Sequence, residues 1–251
     1  MQIPYIVISP VKDEEEYVSY TIASMLNQTC KPVKWLIVND GSRDRTKNII
    51  EEQCIRHDWI QLITLGENSK RQPGAAVIRA FNAGYNIARN VNHEYVVKLD
   101  CDLRFNADYF ERIFERLNKD EKVGIASGLY LEKKGSEWLP VWMPDYHAAG
   151  ACKIIRKRCF DEIGGFITER GWDTVDEIRA QVKGWKTLHY PDLIFYHLKN
   201  EGSGIGYLRT NIMHGEIYYA TGGNKLFFAA KTVHRMIFGK PILMAGLMMF
   251  I

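Results

Sequence analysis

No glycine occurs between Met1 and Gly41 in this 251-residue chain. That gap excludes the glycine-rich phosphate loop which a dinucleotide-binding fold places after its first strand. Cysteine is scarce and unpaired in pattern: Cys30, Cys54, Cys101, Cys152 and Cys159 are odd in number and never spaced C-x-x-C. A disulfide framework and a zinc site are both poorly served by that pattern, and free thiols in a reducing compartment fit it better. No basic run is dense enough for a nucleic-acid footprint, and 33 basic against 30 acidic residues leave a formal net charge of only +3. Nothing at the N-terminus resembles a charged segment followed by an apolar signal core. A cytoplasmic protein is therefore expected.

What is present suits a globular domain with a sizeable core: 46% hydrophobic and 25% charged residues. Short apolar runs alternate with helical patterns through the first half. Tyr5–Ile8 reads as a strand buried on both faces and Trp35–Val38 as a second buried strand, with a third at Ile60–Leu65 and a fourth at Tyr95–Leu99. Helical spacing covers about Tyr17–Asn27, Asp44–Arg56 and Pro73–Asn90 between them. Strands joined through helices imply right-handed crossovers and a mostly parallel sheet flanked by helices, an α/β fold. The second half is less regular, with strands at Val123–Leu131, Thr187–Tyr190 and Ile194–His197, a loop over Trp138–Asp145 and a short helix from Asp173 to about Gly184. One domain over 1–225 is expected, with a nucleotide-binding half (1–104) and a smaller mixed acceptor half (105–225), followed by an apolar and basic segment, 226–251.

Ligands of open α/β sheets bind beyond the carboxyl ends of the strands, and that is where the acidic turns fall. Asp100 and Asp102 follow the fourth strand. In extended backbone, residues two apart face one side, so both carboxylates can meet one Mg²⁺ or Mn²⁺ shared with substrate phosphates. The plainer reading is a pair of solvated loop aspartates. Asp40 follows the second strand, where it could accept from a nucleobase N–H or simply form an Asx turn. Asp13 and Glu14 follow the first strand and could hold ribose hydroxyls or merely favour a helix N-terminus. Asp173, Asp176 and Glu177 crowd one helix head, as a cap and first-turn acids or as a general base with a raised pKa. His197 is a third metal ligand, a phosphate contact or a structural histidine.

Together Val7-Ile8-Ser9-Pro10-Val11-Lys12-Asp13-Glu14, Ile37-Val38-Asn39-Asp40-Gly41-Ser42, Arg79-Ala80-Phe81-Asn82-Ala83-Gly84, Leu99-Asp100-Cys101-Asp102, Ile163-Gly164-Gly165-Phe166 and the acidic helix before Gly184-Trp185 resemble glycosyltransferase family 2, the inverting enzymes of the GT-A fold. The resemblance covers roughly residues 3 to 225. It implies that Pro10, Lys12 and Glu14 line a nucleoside pocket, that Asp40 contacts the base, and that Arg71 and Arg79 face the diphosphate. Asp100 and Asp102 become the D-x-D motif, with Asp102 the direct metal ligand. Counting back from Gly184 through Arg179 lands on Asp173 as the base, with Asp176 the alternative one turn on; Trp172 departs from the usual Glu. The implied reaction is a single displacement that moves a sugar from a nucleotide-diphosphate donor to the hydroxyl of a glycan or lipid-linked glycan.

Two other functions compete. A nucleotidyltransferase making a nucleotide sugar would need a Gly- and Arg-rich loop where Pro10–Glu14 stands, and a non-catalytic carbohydrate-binding module would need no base. Past Lys225, the basic Lys231, His234, Arg235 and Lys240 precede an uncharged run of eleven residues from Pro241 to Ile251. That run is too short to span a bilayer, which needs about 20 residues. It reads as a peripheral anchor at the cytoplasmic membrane face, or as a helix packed on the sheet.

Overall fold

The protein, a computed structural model, is described over residues 3–66, 75–169, 171–199, 207–220, 224–239 and 242–250. It divides into two compact units, 1–198 and 199–251. Residue 225, the expected end of the transferase domain, lies within the second unit, where a helix begins.

In the first unit, strands β1 (Tyr5–Val11), β2 (Lys34–Asn39), β3 (Ile60–Thr64) and β4 (Tyr95–Leu99) alternate with helices α1 (Val18–Leu26), α2 (Thr46–Arg56) and α3 (Ala75–Ala88). These four strands pair in parallel, β3-β2-β1-β4. β1, β2 and β4 are largely apolar because they are covered on both faces, whereas the edge strand β3 is mostly half-buried: Tyr5, Val7, Trp35, Ile37, Tyr95 and Val97 pack with α1 and α2 residues such as Val18, Ile22 and Ile50. Ile6, Ile8, Leu36, Val38 and Val96 pack with Ile78 and Phe81 of α3. Gly84 lets α3 lie close on the sheet, since a Cβ there would stand 2.8 Å from Ile8 Cγ2 and 2.9 Å from Val38 Cγ2. Pro10 sits past the last β1–β4 pair, Ile8 with Lys98, so its missing N–H breaks no pairing on that side.

The chain then continues through β5 (Leu103–Phe105), α4 (Tyr109–Lys119), β6 (Val123–Lys134), β7 (Glu137–Pro140), β8 (Cys152–Arg156), α5 (Lys157–Glu162), α6 (Trp172–Val182) and β9 (Lys186–His197). The sheet extends as β4-β8-β6-β9-β5, with β8 antiparallel to both neighbours and β7 hairpinned onto β6. This is the mixed half that the sequence anticipates. Three details differ from expectation. Glu137–Pro140 is a strand rather than loop, turned back through Gly135 at φ 65 and Ser136, as a two-residue hairpin requires. The two expected strands after Gly184 are one, β9, in which Pro191, Asp192 and Leu193 bulge out of register between Tyr190 and Ile194. Helix α6 opens on Gly171 at φ 82, so Asp173 is a first-turn residue and not the cap.

The second unit holds α7 (Tyr207–Ala220), α8 (Lys225–Phe238) and α9 (Met244–Leu247). Asn224 caps α8 by accepting from the N–H groups of Leu226 and Phe227 at 2.9 and 3.1 Å. Arg235 Nη1 donates to Asn211 Oδ1 at 2.6 Å, and the rings of Tyr218 and Phe228 stack with centroids 5.1 Å apart. Among the described residues no helix is long and apolar enough to cross a membrane.

Candidate active site

The turns after β1 and β2 are stitched together by backbone and side-chain bonds. Lys12 Nζ donates to the Asp40 carbonyl at 2.8 Å, and the Asp40 N–H donates to the Val11 carbonyl at 2.9 Å. Asp13 holds φ 54, a left-handed conformation that aspartate tolerates better than most residues. Reciprocal bonds lock it there: its N–H donates to Ser42 Oγ at 3.0 Å, and its Oδ1 accepts from the Arg43 N–H at 2.7 Å. The Glu14 N–H donates to Thr46 Oγ1 at 2.8 Å. Pro10, Lys12, Glu14 and Asp40 are thus gathered at the carboxyl ends of two adjacent strands. Arg79 is half-buried one turn into α3. Arg71 lies outside the described residues.

Asp100 and Asp102 occupy a bend between β4 and β5 rather than extended strand, and they have different partners. Asp100 Oδ1 accepts from Lys98 Nζ at 2.6 Å. Burial raises the Asp100 pKa, while Lys98 pulls the other way and the neighbouring Asp102 charge adds to the rise. Asp102 is buried, and the N–H of Leu198, the residue after β9, donates to the Asp102 carbonyl at 2.8 Å. Its Oδ2 lies 3.3 Å from His197 Nε2, and His197 Nδ1 lies 3.6 Å from Glu132 Oε1. Burial opposes a charge on His197, but Asp102, Glu132 and Asp100 outweigh it and raise the pKa to about 10. The second oxygen of Asp102, Oδ1, is buried with no hydrogen-bond partner. A buried orphan carboxylate oxygen is costly, and it suits a hard cation ligand. Among the described residues no three acidic, histidine or cysteine side chains converge in metal-binding geometry. Asp102 and His197 are brought together, whereas Asp100 is drawn toward Lys98.

Helix α6 separates the two acids proposed as base. Asp173 is half-buried, beside Gly150. Asp176 and Glu177 are each 2% exposed and bound to Lys153, whose Nζ donates to Asp176 Oδ1 and Oδ2 at 3.1 and 2.9 Å and to Glu177 Oε1 at 3.2 Å. Burial pushes the Asp176 pKa up to about 6, against the pull of Lys153. Glu177 is also buried, but Lys153, His147 and the Ala148 N–H outweigh that and lower its pKa. Sequence reasoning missed Lys98, Lys153 and Glu132. A signal was available for Lys98, the one charge inside the apolar strand β4.

A half-parallel, half-mixed sheet with an acid-lined rim and a D-x-D bend defines a GT-A-type α/β domain. Two solved structures share it: the mannosyltransferase PcManGT of Pyrobaculum calidifontis, in complex with GDP-Man and Mn²⁺, with a TM-score of 0.65 and 16% identity over 98% of this chain and 73% of that one; and a Staphylococcus aureus TarS fragment with UDP-GlcNAc, with a TM-score of 0.64 and 17% identity over 86% and 66%. The chain belongs to glycosyl transferase family 2, whose family model matches residues 6–170. Curated relatives include the glycosyltransferase GlyA of Streptococcus pneumoniae, 30% identical over 52% of this chain and 17% of its own length. Another is the poly-beta-1,6-N-acetyl-D-glucosamine synthase of Staphylococcus epidermidis, 30% identical over 46% and 26%. The TuaG glycosyltransferase of Bacillus subtilis, putatively of teichuronic acid biosynthesis, is 32% identical over 43% and 40%. The matches span well under half of each of these three relatives.

Proposed function

We propose that this chain is a metal-dependent inverting glycosyltransferase that moves a sugar from a nucleotide-diphosphate donor to a hydroxyl of a glycan or lipid-linked glycan in polysaccharide assembly. The observation that carries the reading is the orphan Oδ1 of Asp102 at the end of β4, on a rim already crowded with Asp13, Glu14, Asp40 and Asp100. Such a rim repels a diphosphate unless a cation intervenes. Asp102 and His197 would hold the Mg²⁺ or Mn²⁺, with Asp100 beside them. When bound, the ion supplies neutralisation of charge on the departing diphosphate. Loading it requires His197 to give up its ring proton. Pro10, Lys12, Glu14 and Asp40 would take the nucleoside, and Arg71 and Arg79 the phosphates.

Asp173 is the better base than Asp176. Asp176 spends both oxygens on Lys153 in the interior, so it cannot reach an acceptor hydroxyl. Asp173 takes the acceptor proton as that oxygen attacks the anomeric carbon and the bond to the diphosphate breaks. A base on the face opposite the leaving group gives inversion. The test is a panel of UDP-, GDP- and dTDP-sugars with Mn²⁺, read by nucleoside diphosphate release and by thermal shift. A transferase is stabilised by its own nucleotide and metal through mass action. A nucleotidyltransferase would instead release pyrophosphate from a nucleoside triphosphate, and a binding module would release nothing.

A second reading concerns the second unit. Its α8 exposes Leu226, Phe227, Ile237 and Phe238, and residues 224–251 contain cations but no acid. Apolar side chains among cations suit an anionic membrane surface, which would bring the site to a lipid-linked acceptor on the cytoplasmic face.

A further inference from the structure

Two lysines stand side by side in the interior of the sheet. Lys98 of β4 and Lys153 of β8 are register partners, and they are 2% and 0% exposed. Like charges directly opposed across strands destabilise a sheet, so both ammonium groups must be engaged. Lys98 Nζ donates to Asp100 Oδ1 at 2.6 Å and to the Gly150 carbonyl at 2.8 Å. Lys153 Nζ donates to the Asp173 carbonyl at 2.8 Å as well as to Asp176 and Glu177. The indole of Trp172, the residue before Asp173, covers both, with its ring centroid 5.3 Å from Lys98 Nζ and 5.4 Å from Lys153 Nζ.

The contacts close a circuit. Glu177, held by Lys153, accepts from the Ala148 N–H at 2.8 Å and contacts His147 Nδ1 at 3.0 Å. That loop leads to Gly150, where an added Cβ would lie 3.5 Å from both Cβ and Oδ2 of Asp173. The base is therefore reached from below through its own carbonyl and from the side through Gly150, and both struts end on a buried lysine. Helix α6 has no side-chain N-cap, so its first turn is not fixed from its own end.

We propose that Lys153 is a positioning residue for Asp173, anchoring the first turn of α6 to β8 while Lys98 fixes the facing Gly150 and Asp100 in the same frame. The proposal rests on Asp173 being the base. Displacing a reacting group by about 1 Å can lower turnover on the order of 10²-fold without touching donor affinity.

The experiment uses the full chain and whichever sugar nucleotide turns over in the panel above. Removing Lys153 alone strands two buried acids, so the variant is Lys153→Met/Asp176→Leu/Glu177→Gln, which replaces the ion cluster with apolar volume and keeps an acceptor for Ala148. Buried ion clusters replaced in this way commonly retain stability. The expected result is a folded protein with near-normal donor KM and a kcat lowered roughly 10²-fold. A kcat within about 3-fold of wild type would show the cluster to be structural only and overturn the proposal. Asp173→Asn runs beside it: if that variant turns over normally, the base assignment itself has failed. Should the triple variant not fold, Asp176→Asn is read by the same split. An order-of-magnitude kcat loss at constant KM is expected there, and an unchanged kcat overturns the proposal.

Discussion

Nε2 of His197 lies 3.3 Å from Oδ2 of Asp102, which leaves Oδ1 of the same carboxylate buried and without a hydrogen bond. The carboxylate is satisfied on one oxygen only. Asp102→Ala should therefore abolish Mn²⁺-dependent stabilisation by a nucleoside diphosphate while the protein stays folded. Melting curves with and without the ion decide it, and an unchanged metal response would remove Asp102 from the site.

Loss of general-base catalysis typically lowers turnover about 10²–10⁴-fold. That is the expected effect of Asp173→Asn, with donor and metal binding near normal. Asp176→Asn should cost about an order of magnitude. Steady-state kinetics on both variants settle the order, and a mild Asp173→Asn beside a dead Asp176→Asn would reverse the assignment.

Asp176 carries a pKa raised to about 6, so the folded state favours its protonated form. Its contribution to stability is fully present below the ordinary aspartate value and is lost as pH rises through about 6. Asp176→Asn does not titrate there. The stability advantage of wild type over this variant should shrink between about pH 4 and pH 7. Urea unfolding at several pH values measures it, and a constant gap would show that folding leaves the protonation of Asp176 unchanged.

Phe227 and Phe238 are 61% and 71% exposed on α8. Replacing both with Glu should remove co-sedimentation with anionic vesicles at low salt and leave nucleotide binding intact. Equal pelleting of variant and wild type, or none from either, would dismiss the membrane reading.

Much of the nucleotide half is legible in the chain itself. Strands buried on both faces are mostly apolar, so Tyr5–Ile8, Trp35–Val38 and Tyr95–Leu99, the last broken only by Lys98, announce themselves, and the acids that follow each mark its carboxyl end. The later half is less legible for stated reasons. Three-residue β5 is too short to show a period, and Pro191 interrupts β9 although the pairing resumes at Ile194.

The choice between Asp173 and Asp176 lay beyond local reading. The two stand one turn apart on one helix, both acidic and both near its start. What distinguishes them is Lys153, 23 residues before Asp176 on a strand that enters the sheet antiparallel between β4 and β6. Hydrophobic period and turn chemistry are properties of neighbouring residues, so the sequence by itself determined the α/β order and the family's acidic motifs. Which acid is spent on a buried ammonium depends on the strand laid beneath the helix, and only the tertiary structure decided that.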